Sequence, residues 1–248
     1  MSQFQLFSFP SDDALAAAAA EAWLDAIAAS TAVDRDFTVA LSGGRVMHKF
    51  FAAAITLAAA RASDFRRVQF FWADERCVPP DDPESNYRLA DEALLRPAAV
   101  PVENIHRLRG ELAPAAAAEA ATHQLRKVCG VAAGELPELD LVLLGMGEDG
   151  HVASLFPGDA AAAADLSSVF LPVFNSPKPP PNRISIGHGP LAAARAVWVL
   201  AAGPGKQPAL HHSLAAVATT PLAQVLQRRA ATTIFTDISC EQSSLPSL

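Results

Sequence analysis

The chain has 248 residues, 51% of them hydrophobic and 18% charged, with a formal net charge of −7. That length suits one large α/β domain or at most two small ones, and much of the hydrophobic fraction is alanine. An acidic chain without a run of Lys and Arg carries no electrostatic footprint for nucleic acid or anionic lipid, so an anionic ligand needs a local site that overrides the global field. Cys77, Cys129 and Cys240 are widely spaced and form no CxxC, which points to reduced thiols and a cytoplasmic location rather than a disulfide framework. No uncharged apolar stretch of about 18 residues is present, and no membrane span is expected.

In chain order, Ser11-Asp12-Asp13 reads as the cap of an alanine-rich helix over Ala14–Ser30. With no basic region before it, the N-terminus is expected to be a helix start and not a signal peptide. Phe37–Leu41 is a short β-prone run ending at Ser42-Gly43-Gly44, with a helix following to about Arg61. Val68–Ala73 is a second strand, residues 81–83 a turn, Glu84–Leu95 a helix and Pro114–Val131 another. Leu139–Leu144, bounded by Pro137 and Gly145, is the clearest buried strand. Ser168–Val173, Arg183–Ile186, Val197–Ala202 and Thr232–Thr236 are further strands, with a helix from about Lys206 to Val217. The alanine runs Ala16–Ala20, Ala115–Ala118 and Ala160–Ala164 default to helix. Ser176–Pro181 (SPKPPP) is a stiff loop inside the domain, and no segment reads as an interdomain linker. Strands alternating with helices predict an α/β architecture with a mostly parallel sheet and helices on both faces. Ligands of such folds sit beyond the carboxyl ends of the strands.

Three motifs fall at those ends. The first, Leu41-Ser42-Gly43-Gly44, lies between strand and helix; its N–H groups and the helix N-terminus behind them suit a phosphate, although a structural strand-to-helix turn reads the same way. It lacks the G-x-S-x-G pattern, so Ser42 is a poor nucleophile. The second is Trp72-Ala73-Asp74-Glu75-Arg76: either a set of surface charges, or Arg76 clamping an anion while Asp74 or Glu75 orients it. The third, Gly145-Met146-Gly147-Glu148-Asp149-Gly150-His151, satisfies G-x-G-x-x-G formally. A dinucleotide site needs a long helix next, and Phe156-Pro157-Gly158 interrupts one; Asp165, at about the right distance, is not at a strand end. What remains is a glycine loop presenting Asp149 and His151, and a histidine of near-neutral pKa suits general-base work. Lys206, in Gly203-Pro204-Gly205-Lys206, is a cation placed for an anion just past a strand. His211 and His212 adjoin on one helix and cannot both face one metal. His48, His106, His123 and His188 are isolated, and no H-E-x-x-H or Cys/His cluster exists.

Together these segments resemble the 6-phosphogluconolactonase family, within a larger group that includes glucosamine-6-phosphate deaminase. The matching stretches are LSGG at 41–44, FFWADERCVPPDDPESNYRLADEALL at 70–95, LDLVLLGMGEDGHVASLFPG at 139–158, SPKPPPNRISIG at 176–187, GPGK at 203–206 and PLAQVLQ…TTIFTD at 221–237. They run in order over nearly the whole chain. The resemblance implies a Rossmann-like single domain over residues 1–248. It implies hydrolysis of 6-phospho-D-glucono-1,5-lactone in the pentose phosphate pathway, with no metal and no cofactor. It makes His151 the base and Asp149 its neighbour; Gly43, Gly44, Arg76, Arg183 and Lys206 are the anion-binding set, with Asp74 and Arg45 added as substrate contacts. The expected partner is a small sugar-phosphate lactone, with no nucleic acid or membrane. The chain departs from the family at Arg45-Val46-Met47, where a Thr-Pro pair is usual and Arg45 can supply charge instead. It departs again at Gly187-His188-Gly189-Pro190, where apolar residues are expected. Two other functions compete. A deaminase on the same fold would carry an Asn-Glu-Pro-type run where this chain has Ser154-Leu155-Phe156-Pro157-Gly158. A non-catalytic sugar-phosphate sensor would be expected to carry a helix-turn-helix extension, which this acidic chain lacks.

Overall fold

The computed structural model describes residues 4–159 and 165–239. Six strands form one parallel sheet: β1 (Phe4–Ser8), β2 (Phe37–Leu41), β3 (Val68–Trp72), β5 (Leu141–Gly145), β8 (Ala196–Ala201) and β9 (Thr232–Thr236), in the spatial order β1-β9-β8-β5-β2-β3. Successive side chains of a strand point to opposite faces. Leu141, Val142, Leu143 and Leu144 of β5 are all buried, so the sheet is covered on both sides, as an apolar run without alternation requires. The register sets Leu41 beside Trp72, Gly145 beside Leu200 and Ala201 beside Thr236, which brings the carboxyl ends of the strands to one edge. From β2 the chain steps to β3 on one side and returns to β5 on the other. The crevice between β2 and β5 is therefore the topological switch point, where such sheets bind ligands.

Helices α1 (Asp12–Ala32) and α2 (Arg45–Arg61) pack on each other. Ser11 caps α1, its Oγ accepting from Ala14 N at 3.2 Å. Trp23 of α1 packs on Phe50 of α2 and on Phe65, with ring centroids 5.4 and 5.2 Å apart. The alanine runs at 16–20 and 115–118 are helical, in α1 and α4 (Pro114–Cys129). The third, Ala160–Ala164, lies outside the described residues, as does Cys240. Among the described residues no helix is long and apolar enough to cross a membrane.

Several elements differ from the sequence expectation. The strands expected at 168–173 and 183–186 are β6 (Phe170–Val173) and β7 (Arg183–Ile186), and they do not join the parallel sheet. With β4 (Asp74–Arg76) they form a separate antiparallel sheet in the order β4-β7-β6. The helix expected at 84–95 starts later and is two pieces: α3 (Asn86–Ala90), capped by Ser85 Oγ accepting from Arg88 N at 3.2 Å, and a π-helical turn over Asp91–Leu95. The helix expected at 206–217 begins as a 3₁₀ turn at Pro204–Lys206 and continues as α6 (Gln207–Leu214). Strand β1 precedes the first helix. Helices α5 (His188–Ala193) and α7 (Pro221–Gln227) carried no strong periodic signal and were not expected.

Candidate active site

A cavity of about 850 Å³ opens over the carboxyl ends of β2, β5 and β8. Its walls come from the loops after those strands, from β4 and β7 of the small sheet, and from the Ser176–Pro181 loop. All the expected site residues meet there except Asp149, which lies off the wall on the Nδ1 side of His151.

The loop after β5 is folded back on itself. Gly147 N donates to His151 O at 2.9 Å, and Gly150 N donates to Gly147 O at 3.0 Å. This brings the two chemical side chains together: His151 Nδ1 lies 2.5 Å from Asp149 Oδ1. A carboxylate on Nδ1 holds the proton there and leaves Nε2 as the basic nitrogen. Burial lowers the His151 pKa, and the Asp149 carboxylate only partly offsets it. Burial thus favours the neutral imidazole. Burial works to raise the Asp149 carboxyl, but the bond from His151 and its charge outweigh it and hold Asp149 below the usual carboxylate value. Phe156 packs against the imidazole, with ring centroids 4.7 Å apart.

The small sheet supplies the second group of charges. Asp74 is buried and fixed: Ser154 Oγ donates to its Oδ2 at 2.7 Å, and Asn86 Nδ2 to its Oδ1 at 3.2 Å. Arg76 lines the cavity with its Nη1 donating to Glu84 O at 2.5 Å, while its Nε is buried with no hydrogen-bond partner. Arg183 also lines the cavity, but most of its N–H groups are engaged. Nε donates to Pro180 O at 3.1 Å, Nη2 to Lys178 O and Pro179 O at 3.0 Å each, and Nη1 to Ser154 Oγ at 3.4 Å. Glu75 is turned away from the cavity. It accepts from the backbone N–H groups of Arg76, Asn86 and Tyr87 at 2.7, 2.8 and 2.8 Å. Of the two carboxylates considered as partners of Arg76, only Asp74 faces the site.

The third group gathers at the α2 N-terminus. Gly43, Gly44 and the exposed Arg45 share the wall with Lys206. Burial lowers the Lys206 pKa and the nearby Arg45 charge adds to this, against the carboxylates of Glu148 and Asp237. An approaching anion relieves that repulsion. Gly43 has to be glycine, because a Cβ would lie 1.9 Å from Asn86 Oδ1. Ser42 Oγ donates to Leu143 O at 2.8 Å across the β2–β5 crevice, a structural use of the hydroxyl.

Lys178, Asn86, Glu148 and Asp237 also line the cavity, and none was singled out from sequence. A lone lysine among four prolines, Pro177 before it and Pro179–Pro181 after it, was the one local sign. Among the described residues no group of three or more His, Cys, Asp or Glu side chains is placed to hold a metal ion.

The chain as a whole has counterparts among known proteins. The chain is 34% identical over 248 residues to the 6-phosphogluconolactonase of Streptomyces coelicolor, covering 98% of this chain and 95% of that protein. It is 36% identical over 211 residues to a rice (Oryza sativa subsp. indica) protein named as a probable chloroplastic 6-phosphogluconolactonase 3, where the match spans 64% of the relative's length. The solved structure of 6-phosphogluconolactonase from Trypanosoma cruzi superposes with a TM-score of 0.80 at 27% identity, covering 95% of each chain. Residues 10–235 match the family described as glucosamine-6-phosphate isomerases/6-phosphogluconolactonase, and the chain belongs to that family.

Proposed function

We propose that this protein hydrolyses 6-phospho-D-glucono-1,5-lactone to 6-phosphogluconate, the lactone-opening step of the oxidative pentose phosphate pathway, with His151 as general base. The observation that carries the reading is His151, paired with Asp149, on the wall of a cavity that also holds Arg45 and Lys206. The first suits a proton transfer and the second a phosphate. The names of the relatives support the same substrate.

In this reading the phosphate sits at the α2 N-terminus, against the N–H groups of Gly43 and Gly44 and the charges of Arg45 and Lys206. Its binding energy orients the lactone. His151 Nε2 takes a proton from water as the water oxygen bonds to C1. The carbonyl oxygen becomes an oxyanion, and Arg76, whose guanidinium lines the cavity, is the candidate donor to it. The C1–ring oxygen bond then breaks, and protonated His151 returns its proton to the ring oxygen. Asp74 is held by Ser154 and Asn86 and acts as fixed negative charge near the two arginines. A cytoplasmic location fits the free Cys77 and Cys129, whose pKa values burial pushes up to about 11 and whose thiols are therefore poorly reactive.

The test uses freshly made lactone and a coupled NADP-reducing dehydrogenase, with spontaneous hydrolysis subtracted. Wild type accelerates the reaction, and His151→Ala loses roughly 10²–10⁴-fold. A folded wild type that gives no acceleration refutes the reading and directs attention to an amino-sugar-phosphate deaminase, then to binding without turnover.

A further inference from the structure

Lys178 stands on the Ser176–Pro181 loop with its Nζ 3.9 Å from Asp149 Oδ1, the same oxygen that lies 2.5 Å from His151 Nδ1. One carboxylate oxygen therefore faces two cation-forming groups. Among the described residues Asp149 is the one carboxylate within ion-pair reach of Lys178. We propose that Lys178 is a positioning residue for the His151–Asp149 pair: it draws on the shared carboxylate and sets a positive charge beside the imidazole, so that His151 stays neutral and able to accept a proton. The inference rests on the reading of His151 as a base.

The loop is built to deliver that charge. Ser176 N donates to Pro181 O at 2.8 Å, and Ser176 Oγ donates to Lys178 O at 2.9 Å. Arg183 reaches over from β7 and donates to the carbonyls of Lys178, Pro179 and Pro180. Every one of these anchors holds the backbone and none uses the Lys178 ammonium. The charge can therefore be removed while the loop keeps its clamps.

The charged groups facing His151 are Asp149 from its own loop, Lys178 from the loop before β7, and Asp74 from β4. Arg183 lies on the Phe156 ring, its Cζ 5.6 Å from the centroid, and Lys206 faces Lys178 from the turn after β8. Burial is the main influence lowering the His151 pKa; Asp149 opposes it, and Lys178 adds to the lowering against Asp74. Without Lys178 the whole Asp149 charge would favour the imidazolium. The Lys178 side chain is 46% exposed, so its influence is screened by salt.

The experiment is an NMR titration of the His151 Cε1–H signal in the full chain, assigned with His151→Gln. Wild type, Lys178→Met and Lys178→Arg are compared in low salt. The midpoint is expected to rise in Lys178→Met by about half a pH unit, the Coulomb energy of a nearby unit charge in a water-filled cleft, and to return in Lys178→Arg. An unmoved midpoint overturns the proposal, even if the variant raises KM, because Lys178 would then be a substrate contact only. A rise that Lys178→Arg fails to reverse also overturns it, because the shift would come from a disturbed loop. The titration needs no turnover, so a failure of the lactonase reading and a failure of this proposal are separately visible.

Discussion

Gly147 lacks a side chain where the His151 imidazole lies: a Cβ built on Gly147 would sit 2.0 Å from His151 Nδ1, 2.1 Å from Cε1 and 2.5 Å from Asp149 Oδ1. The glycine is required by this close approach. Gly147→Ala must push the imidazole off Asp149 or open the turn, and a displacement of about 1 Å can cost 10²-fold in rate. The variant is expected to lose roughly 10²-fold or more in kcat, and crowding at this buried glycine should also destabilise the fold by about 1–3 kcal/mol, seen as a lower urea unfolding midpoint. Groups that act as a unit are not additive. The double variant Gly147→Ala/His151→Ala should therefore be no slower than His151→Ala alone, and kcat for all three proteins checks this.

Lys206 faces the cavity beside Arg45, its pKa lowered by burial and by that arginine. A phosphate dianion at this point would raise that pKa again. Hydrogen bonds to charged groups contribute roughly 1.5–3 kcal/mol, so Lys206→Ala should raise KM for the phosphorylated lactone about 10- to 100-fold and change kcat much less. Unphosphorylated glucono-1,5-lactone is the control. Its kcat/KM should be the same in wild type and variant, and equal losses on both substrates would remove Lys206 from the phosphate end.

The site was legible in the sequence where chemistry follows a buried strand directly. The loops after β2, β5 and β8 carry Gly43-Gly44, His151 and Lys206, and the parallel sheet brings their ends to one cavity. Groups that arrive by tertiary pairing were not legible. Strand β4 is three residues long and is a strand because Arg76 pairs with Arg183, far along the chain. Asn86 and Lys178 reach the cavity through that small sheet and the loop anchored to it. Strand β1 has its partner, β9, near the other end of the chain. Glu75 was read beside Arg76 as a group that orients a ligand, but a carboxylate on a strand tip can equally face a helix start, and local sequence does not choose between them.

Glu75 makes its own stability prediction. It is buried, and besides three backbone N–H groups it accepts from Ser85 Oγ at 3.0 Å. Burial pushes its pKa up, against those four hydrogen bonds. Glu75→Gln replaces an acceptor oxygen by an NH₂ facing N–H donors, leaving at least one buried donor unsatisfied at a cost of about 1–3 kcal/mol. The urea midpoint should fall accordingly. Because Asn86 N is one of the donors, and Asn86 also holds Asp74 and abuts Gly43, some activity should be lost as well. Unchanged stability would mean that α3 does not depend on this carboxylate.

His188 sets part of the acid limit of the fold. It is 2% exposed, at the first position of α5, and its Nδ1 has no hydrogen-bond partner. Burial, helped by the Arg228 charge, pushes its pKa down from 6.5 to about 4. The unfolded chain takes up a proton at His188 as pH falls through 6.5, whereas the folded chain does not until about 4. Below 6.5 the unfolded state therefore binds more protons, and stability falls until about 4, where the loss stops growing. Between pH 7 and pH 5 this group alone costs about 2 kcal/mol. His188→Leu, which keeps a bulky side chain at this buried position and cannot titrate, should lose that much less over the same interval. The measurement is urea unfolding of both proteins at pH 7 and pH 5. The difference of differences isolates His188 from the other titrating groups, and a value near zero would show that the buried imidazole is protonated as readily in the fold as in the open chain.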